Sequence, residues 1–188
     1  GTNPCSEIIL RPYQFCNLSE VVVRAGDTLS DLKRKVRVAT ILGSLQATLT
    51  DFRYLRKVWQ KNTEEEALLG VSLTGIMDHA VLSGREDREK LKEWLIVLKE
   101  EAISTNAEWS NKLGINLSTA ITAVKPSGTV SQLVDSASGI HPRYADQYIR
   151  RVRADSRDPL CQVLEAAGVP VEDDVMSPTT KVFSFPIK

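Results

Sequence analysis

Cys16-Asn17-Leu18-Ser19-Glu20-Val21-Val22-Val23, broken by Gly26-Asp27 and followed by Thr28-Leu29-Ser30-Asp31, decides the fold class of this chain. The β-branched run at its end reads as a strand, and the glycine stops it. Thr28 with Asp31 three residues later has the form of a capping box, in which a hydroxyl and a carboxylate satisfy the first free amides of a helix. Leu32, Val36, Ala39, Leu42 and Leu45 then recur at helical spacing, so a strand leads directly into an amphipathic helix whose stripe should face a core.

The same alternation continues in the C-terminal direction. A short helix is expected to start on a second capping box, Thr63 with Glu66, and to end at Gly70. Glu64-Glu65-Glu66 would then be a solvated helix start that complements the helix dipole. Val71-Ser72-Leu73-Thr74-Gly75-Ile76 reads as a short buried strand or turn. From about Arg85 to Lys112 a long helix carries Leu91, Trp94, Leu95, Leu98 and Ala102, with Gly114 as its stop. Thr119 to Val124 is an apolar strand, and Tyr148-Ile149-Arg150-Arg151-Val152-Arg153 is another. Asp158 as cap and Pro159 at the first helical position open a last helix that closes at Gly168. Strands alternating with helices, without internal repeats or low-complexity linkers, specify an α/β fold.

Working back toward the N-terminus, Asn3-Pro4-Cys5-Ser6-Glu7 gathers unusual chemistry. Taken as extended, it alternates faces with a period of two and points Asn3, Cys5 and Glu7 the same way. An amide can orient a hydroxyl, a carboxylate can take its proton, and a thiol can do nucleophilic or one-electron chemistry. Cys5 and Cys16 flank a Pro12-Tyr13 stretch that could turn the chain and bring the two thiols together across a hairpin; either could equally be a small core hydrophobe. Cys161, between Leu160 and Val163 on a helix, reads as structural.

Lys125-Pro126-Ser127-Gly128-Thr129-Val130-Ser131 follows a strand and could open a helix. Exposed backbone amides, small hydroxyls and a glycine suit an anion such as phosphate, although a plain strand-to-helix turn has the same composition. The Walker pattern is absent. Arg150, Arg151 and Arg153 could neutralise phosphates or line a solvated strand edge. His141 falls in a loop after the anion turn, and His79 has no evident partner. Neither histidine has metal-ligand spacing, so no metal site is expected.

The 188 residues suffice for a sizeable core, with 42% apolar and 26% charged residues and a net charge of zero. Zero balance argues against a nucleic-acid-coating or membrane-surface role. No apolar run reaches membrane-spanning length, and no signal peptide is visible. Three cysteines without tight pairing fit a reducing, cytoplasmic setting. Gly1 opens the chain without an initiator Met and Phe183-Ser184-Phe185-Pro186-Ile187-Lys188 ends it on a strand. Both ends are therefore expected to be internal points of a longer polypeptide.

Five stretches together resemble the ribonucleotide reductases, and most closely the adenosylcobalamin-dependent (class II) monomeric ribonucleoside-triphosphate reductases. They are Asn3 to Glu7, Phe15-Cys16-Asn17-Leu18, Gly70-Val71-Ser72-Leu73-Thr74-Gly75, Lys125 to Ser131, and Ser138-Gly139-Ile140-His141-Pro142-Arg143-Tyr144 with Tyr148 to Arg153. The resemblance implies that residues 1–188 are one partial catalytic domain, part of a ten-stranded α/β barrel with a finger loop. It implies that Cys5 on that loop becomes a thiyl radical removing the ribose 3′-hydrogen, that Glu7 is the general base on the 3′-hydroxyl, and that Asn3 holds the sugar hydroxyls. Cys16 is implied to be one of two thiols that reduce the sugar and end as a disulfide. Pro126, Ser127, Gly128, Thr129, Val130 and Ser131 are implied to grip the substrate phosphates.

The implied cofactor is adenosylcobalamin, bound mainly through parts of the protein not in this chain. A ribonucleoside triphosphate substrate, a deoxynucleotide effector and a thioredoxin-type reductant are the implied partners. The second redox cysteine is implied on an earlier strand, and Cys161 is not at its place. The isolated chain is therefore expected neither to turn over nucleotides nor to form the reductive disulfide. Two other readings stay open. One is a ribonucleoside-diphosphate reductase with an iron-oxo or glycyl radical source; the other is a non-catalytic α/β nucleotide-binding module.

Overall fold

A computed structural model describes all 188 residues, and they form two compact units, Gly1–Pro142 and Arg143–Lys188. In the first unit, β1 (Asn17–Val22) leads into α1 (Leu29–Gln46), α2 (Lys57–Glu66) and β2 (Leu69–Thr74). A single 3-10 turn at Ile76–Asp78, the long α3 (Arg88–Leu113) and the one-turn α4 (Val130–Leu133) follow.

β1 and β2 pair in parallel, from Asn17 opposite Leu69 to Val22 opposite Thr74. Such pairing needs a long crossover, which α1 and α2 supply. Residues 119–123 run alongside β2 in the same sense. The Leu69 and Val71 amides donate to the Ala120 and Ile121 carbonyls, Ala123 donates back to Val71, and Thr122 bridges Val71. The expected strand at Thr119–Val124 is thus a third parallel rail held at a single bridge, not a full ladder.

Side-chain alternation sorts this sheet into two faces. Val21 and Val71 turn toward α1 and α3, where Val23, Leu32, Val36, Ala39, Leu82, Leu98 and Ala102 close the core around them. Gly43 in α1 allows that approach, since a Cβ there would lie 3.3 Å from Leu69. The opposite face carries Leu18 and Gly70, and it is the face that meets the N-terminal segment.

Helix α1 starts as the sequence dictates. Thr28 Oγ1 accepts from the Asp31 amide and the Asp31 carboxylate accepts from the Thr28 amide. Its buried stripe is shorter than expected, because Leu42 is 58% exposed and Leu45 is also exposed. Asp87 caps α3, and Gly114 ends it in the left-handed conformation.

Helix α2 departs from expectation. It begins at Lys57, and Thr63 is inside it near the C-terminal end, where its buried hydroxyl accepts from the Phe15 amide. Ala67, not Gly70, makes the left-handed exit. Glu64, Glu65 and Glu66 therefore sit at the negative end of the helix dipole, and other groups compensate them. Glu64 accepts from Thr50 and Gln60, while Arg11 pairs with Glu65 and Glu66.

The second unit is a three-stranded antiparallel sheet with β5 (Thr180–Ile187) between β3 (Tyr148–Asp155) and β4 (Val171–Asp173). Asp158 caps α5 (Pro159–Ala166), with proline at its start. Cys161 is 1% exposed and its thiol donates to the Asp155 carbonyl at 3.0 Å, which makes it structural as expected. Arg151 and Arg153 of β3 pair with Glu172 and Asp174.

Candidate active site

Residues 1–10 fold back on themselves. Thr2 bridges Ile9 in antiparallel sense, the Asn3 amide donates to the Ile8 carbonyl, and Leu10 donates to Gly1. Pro4, Cys5 and Ser6 form the turn, with Ser6 in the left-handed region at φ 61° and its amide on the Asn3 carbonyl. The expectation that Asn3, Cys5 and Glu7 share a face of an extended segment is therefore corrected. Proline and the left-handed serine reverse the chain, and the reversal, not a period of two, brings Asn3 onto Glu7.

The contact between them is direct. Asn3 Nδ2 donates to Glu7 Oε1, while Asn3 Oδ1 accepts from the Ile8 amide at 3.1 Å and fixes which way the amide points. Lys125 Nζ, far along the chain, lies 3.4 Å from the same Glu7 oxygen and 3.7 Å from Cys5 Sγ. The Glu7 side chain is only 5% exposed. Burial would push its carboxyl up, but its own backbone amide, the Asn3 amide and the Lys125 ammonium together hold it below the ordinary carboxylate range. Its other oxygen, Oε2, is buried and accepts no hydrogen bond from the protein. Glu7 is thus an ionised carboxylate with one oxygen held and one available.

Cys5 is exposed, at the tip of the turn. Cys16, just before β1, is half-buried and unpaired. Burial, and after it the negative charge of Glu7, push its thiol up to about 11, so it is protonated at neutral pH. Gly70 of β2 leaves room for this arrangement: a Cβ there would meet Leu18 at 2.6 Å, Ile8 at 3.0 Å and the Cys16 sulfur at 3.5 Å. The hairpin expected at Pro12-Tyr13 is replaced by the earlier Thr2–Ile9 bridge, so Cys5 sits at a tip rather than on a flank. Tyr13, at φ 60°, still turns the chain, and Asn62 and Gln14 brace that turn.

The segment Lys125–Ser131 is held next to the C-terminal end of β2. Gly75 donates to the Ala137 carbonyl, the Gly139 amide donates to Thr74 Oγ1, and Gly139 packs so tightly on Lys125 that a Cβ would lie 2.9 Å from its carbonyl. Within the turn, the fully buried Ser131 hydroxyl donates to the Gly128 carbonyl. Gly128, at φ 61°, has open space where a side chain would be. Ser127 Oγ is buried without a protein partner. The helix that follows is a single turn.

A cavity of about 510 Å³ has Glu7 in its wall with Val71, Leu73 and Thr122, and a second of about 480 Å³ borders Cys16 with Phe15, Phe52 and Tyr54. Neither of these two includes Cys5 or the Pro126–Ser131 turn.

Lys125 is the residue that sequence reading passed over. It opens the anion-turn heptad, but its contact with Cys5 spans 120 positions and no local pattern announces it. The histidines stay outside the site. His79 is buried, with Nε2 at 2.9 Å from the Asp27 carbonyl and Nδ1 accepting from the Val81 and Leu82 amides. His141 is an exposed loop residue.

No protein-family profile matches the chain. Curated proteins do, along its whole length. An adenosylcobalamin-dependent ribonucleoside-triphosphate reductase of Lactobacillus acidophilus is 34% identical over 213 aligned positions. Proteins of the same name from Levilactobacillus brevis and Lactobacillus leichmannii are 32% and 30% identical. In each case the match covers 100% of this chain, and the chain spans about 28% of the length of the relative. Among solved structures, a B12-dependent (class II) ribonucleotide reductase superposes with a TM-score of 0.80 at 26% identity, over all of this chain and 29% of that one. By sequence from end to end and by fold, this mixed α/β chain is a relative of the class II, adenosylcobalamin-dependent ribonucleotide reductases and corresponds to one part of them.

Proposed function

We propose that the polypeptide carrying this chain reduces ribonucleoside triphosphates to 2′-deoxyribonucleoside triphosphates by thiyl-radical chemistry. The observation that supports it best is that Glu7 and Cys5 meet one lysine ammonium while Asn3 is bonded to the same Glu7 oxygen. Cys5, as a thiyl radical, takes the 3′-hydrogen of the ribose. The Glu7 carboxylate accepts the 3′-hydroxyl proton, and its unpartnered Oε2 is the oxygen placed for that. Asn3, with its amide fixed, orients the sugar hydroxyls. The 2′-hydroxyl leaves as water, taking a proton from a thiol, and Cys16 suits that donor role because its thiol stays protonated. Cys16 and a second thiol outside this chain give up two electrons and end as a disulfide, while Cys5 returns the hydrogen to C3′ and becomes a thiyl radical again, and Glu7 returns the proton to the 3′-oxygen.

Pro126, Ser127, Gly128, Thr129, Val130 and Ser131 would hold the phosphates, with Ser127 Oγ still lacking a partner and Gly128 open to a close approach. Such a grip fixes the ribose against the thiol and lowers the entropic barrier. Adenosylcobalamin would supply the one-electron oxidation that makes the Cys5 radical. Residues 1–142 fit an approach to this group better than a cradle for it: Cys5 is exposed at a hairpin tip, whereas the cavity beside Glu7 is aliphatic and far too small for a corrin. We place its binding mainly outside residues 1–188. A deoxynucleotide effector, a thioredoxin-type reductant and a cytoplasmic setting complete the reading; no helix here is long and apolar enough to cross a membrane.

Cys5→Ser and Glu7→Gln, made in the complete polypeptide, test it. Each should lower deoxynucleotide formation by at least ~100-fold, the range expected for removing an essential nucleophile or base. Intact turnover in either variant would mean that residues 1–188 serve the complete polypeptide as a nucleotide-binding module without a catalytic role of their own.

A further inference from the structure

Lys125 stands between the two groups that the proposed chemistry uses. Its ammonium contacts Glu7 Oε1 at 3.4 Å and Cys5 Sγ at 3.7 Å, and its side chain is about a quarter exposed. Its backbone is fixed independently, because the Lys125 carbonyl lies under Gly139, whose amide is bonded to Thr74 of β2. The lysine thus reaches the N-terminal hairpin from a separately anchored segment. Pro126, the next residue, begins the turn assigned to phosphate, and a proline restricts the residue before it to extended backbone. No other cation is recorded on Glu7, and the Asn3 amide alone would leave a buried carboxylate short of countercharge.

We infer that Lys125 is a positioning residue of this site: it clamps Glu7 Oε1 so that Oε2 is the oxygen presented to substrate, and it holds the Cys5 sulfur beside that carboxylate. The inference rests on Cys5 and Glu7 being the reacting pair, and it adds the group that keeps the two in register. An ammonium suits this task because it offers three donors to separate acceptors. One goes to the carboxylate and one to the sulfur. A purely structural lysine or a phosphate ligand would have no reason to contact both.

A charge-sensitive probe of Cys5 separates this role from general stability. In the complete polypeptide, Cys5 is alkylated in parallel with iodoacetate and with neutral iodoacetamide, and each product is read by mass spectrometry. A neighbouring ammonium favours the anionic reagent, so Lys125→Met should lower the iodoacetate-to-iodoacetamide ratio at Cys5 by about 5-fold, the effect of one unit charge ~4 Å away in water. Lys125→Arg should restore most of it. Glu7→Gln, which removes the competing negative charge, should raise it. In turnover assays Lys125→Met should lower kcat with little change in KM. An unchanged ratio in Lys125→Met, or a lowered one in Glu7→Gln, overturns the inference. So does a rise in KM alone, which would make Lys125 a phosphate ligand. The alkylation ratios need no turnover, so a polypeptide with the expected ratios but no reductase activity would refute the proposed function and leave the Lys125 contacts standing.

Discussion

Replacing Gly75 by alanine tests whether the end of β2 is what holds the Lys125–Gly139 segment in place. Gly75 has φ 79°, and a Cβ on it would lie 2.6 Å from the Val23 carbonyl oxygen and 3.4 Å from Ser136. The left-handed conformation alone costs alanine about 1–2 kcal/mol. The clash is with backbone, and it falls ~0.7 Å short of an ordinary carbon–oxygen contact, so no side-chain rotation relieves it. Either Val23 or Gly75 must move. The Val23 amide bond to Thr74 and the Gly75 amide bond to Ala137, both 2.8 Å, are the ones at risk. Each is worth about 1 kcal/mol net. The expected loss is therefore ~3–4 kcal/mol, measured as the shift in urea midpoint of the 188-residue chain at unchanged slope. Gly26→Ala is the control. Nothing lies within 4 Å of a Cβ at Gly26 and its φ is not in the left-handed region, so it should stay within about 0.5 kcal/mol of the parent. A Gly75→Ala chain within ~1 kcal/mol of the parent would mean that the β2 exit does not constrain this segment.

Two further outcomes concern titration. Glu7 has a folded value below its ordinary 4.5, so its ionised form stabilises the fold above the unfolded value, and that contribution disappears as pH falls through the folded one. The stability gap between the parent and Glu7→Gln should accordingly shrink as pH falls through the ordinary carboxylate range and below it; a gap that stays constant or widens would contradict the ion-pair geometry. Cys16, raised to about 11 and half-buried, should react with iodoacetamide much more slowly than exposed Cys5 at about pH 8, and should accelerate as pH climbs toward its own value. Equal rates at that pH would show that Cys16 is not shielded.

The elements that local chemistry specifies were legible in the sequence. The β-branched end of β1, the reciprocal Thr28–Asp31 cap, the Gly114 stop of α3 and the Asp158-Pro159 start of α5 each need only neighbouring residues to form. Where tertiary contacts decide, the sequence misleads. Thr63 has the composition of a cap, but its hydroxyl serves Phe15 from inside a helix that starts at Lys57 and whose N-cap, Arg56, makes no side-chain cap bond. Leu42 and Leu45 fit the apolar spacing of α1 and yet are exposed. At the site, the residue types at positions 3, 5 and 7 were legible and their geometry was not. Ser6 adopts a left-handed conformation that its identity does not advertise, and that reversal changes which side chains meet. Lys125 was invisible for a different reason: its significance is a matter of distance in space alone.

The long span between Cys5 and Lys125 has a consequence for biosynthesis. At ribosomal rates the 120 positions that separate them take roughly 6–24 s to emerge. Throughout that interval the N-terminal thiol is outside the tunnel with no ammonium beside it, and the nascent carboxylate at Glu7 has no counterion to bury against. The site is therefore a late product of translation.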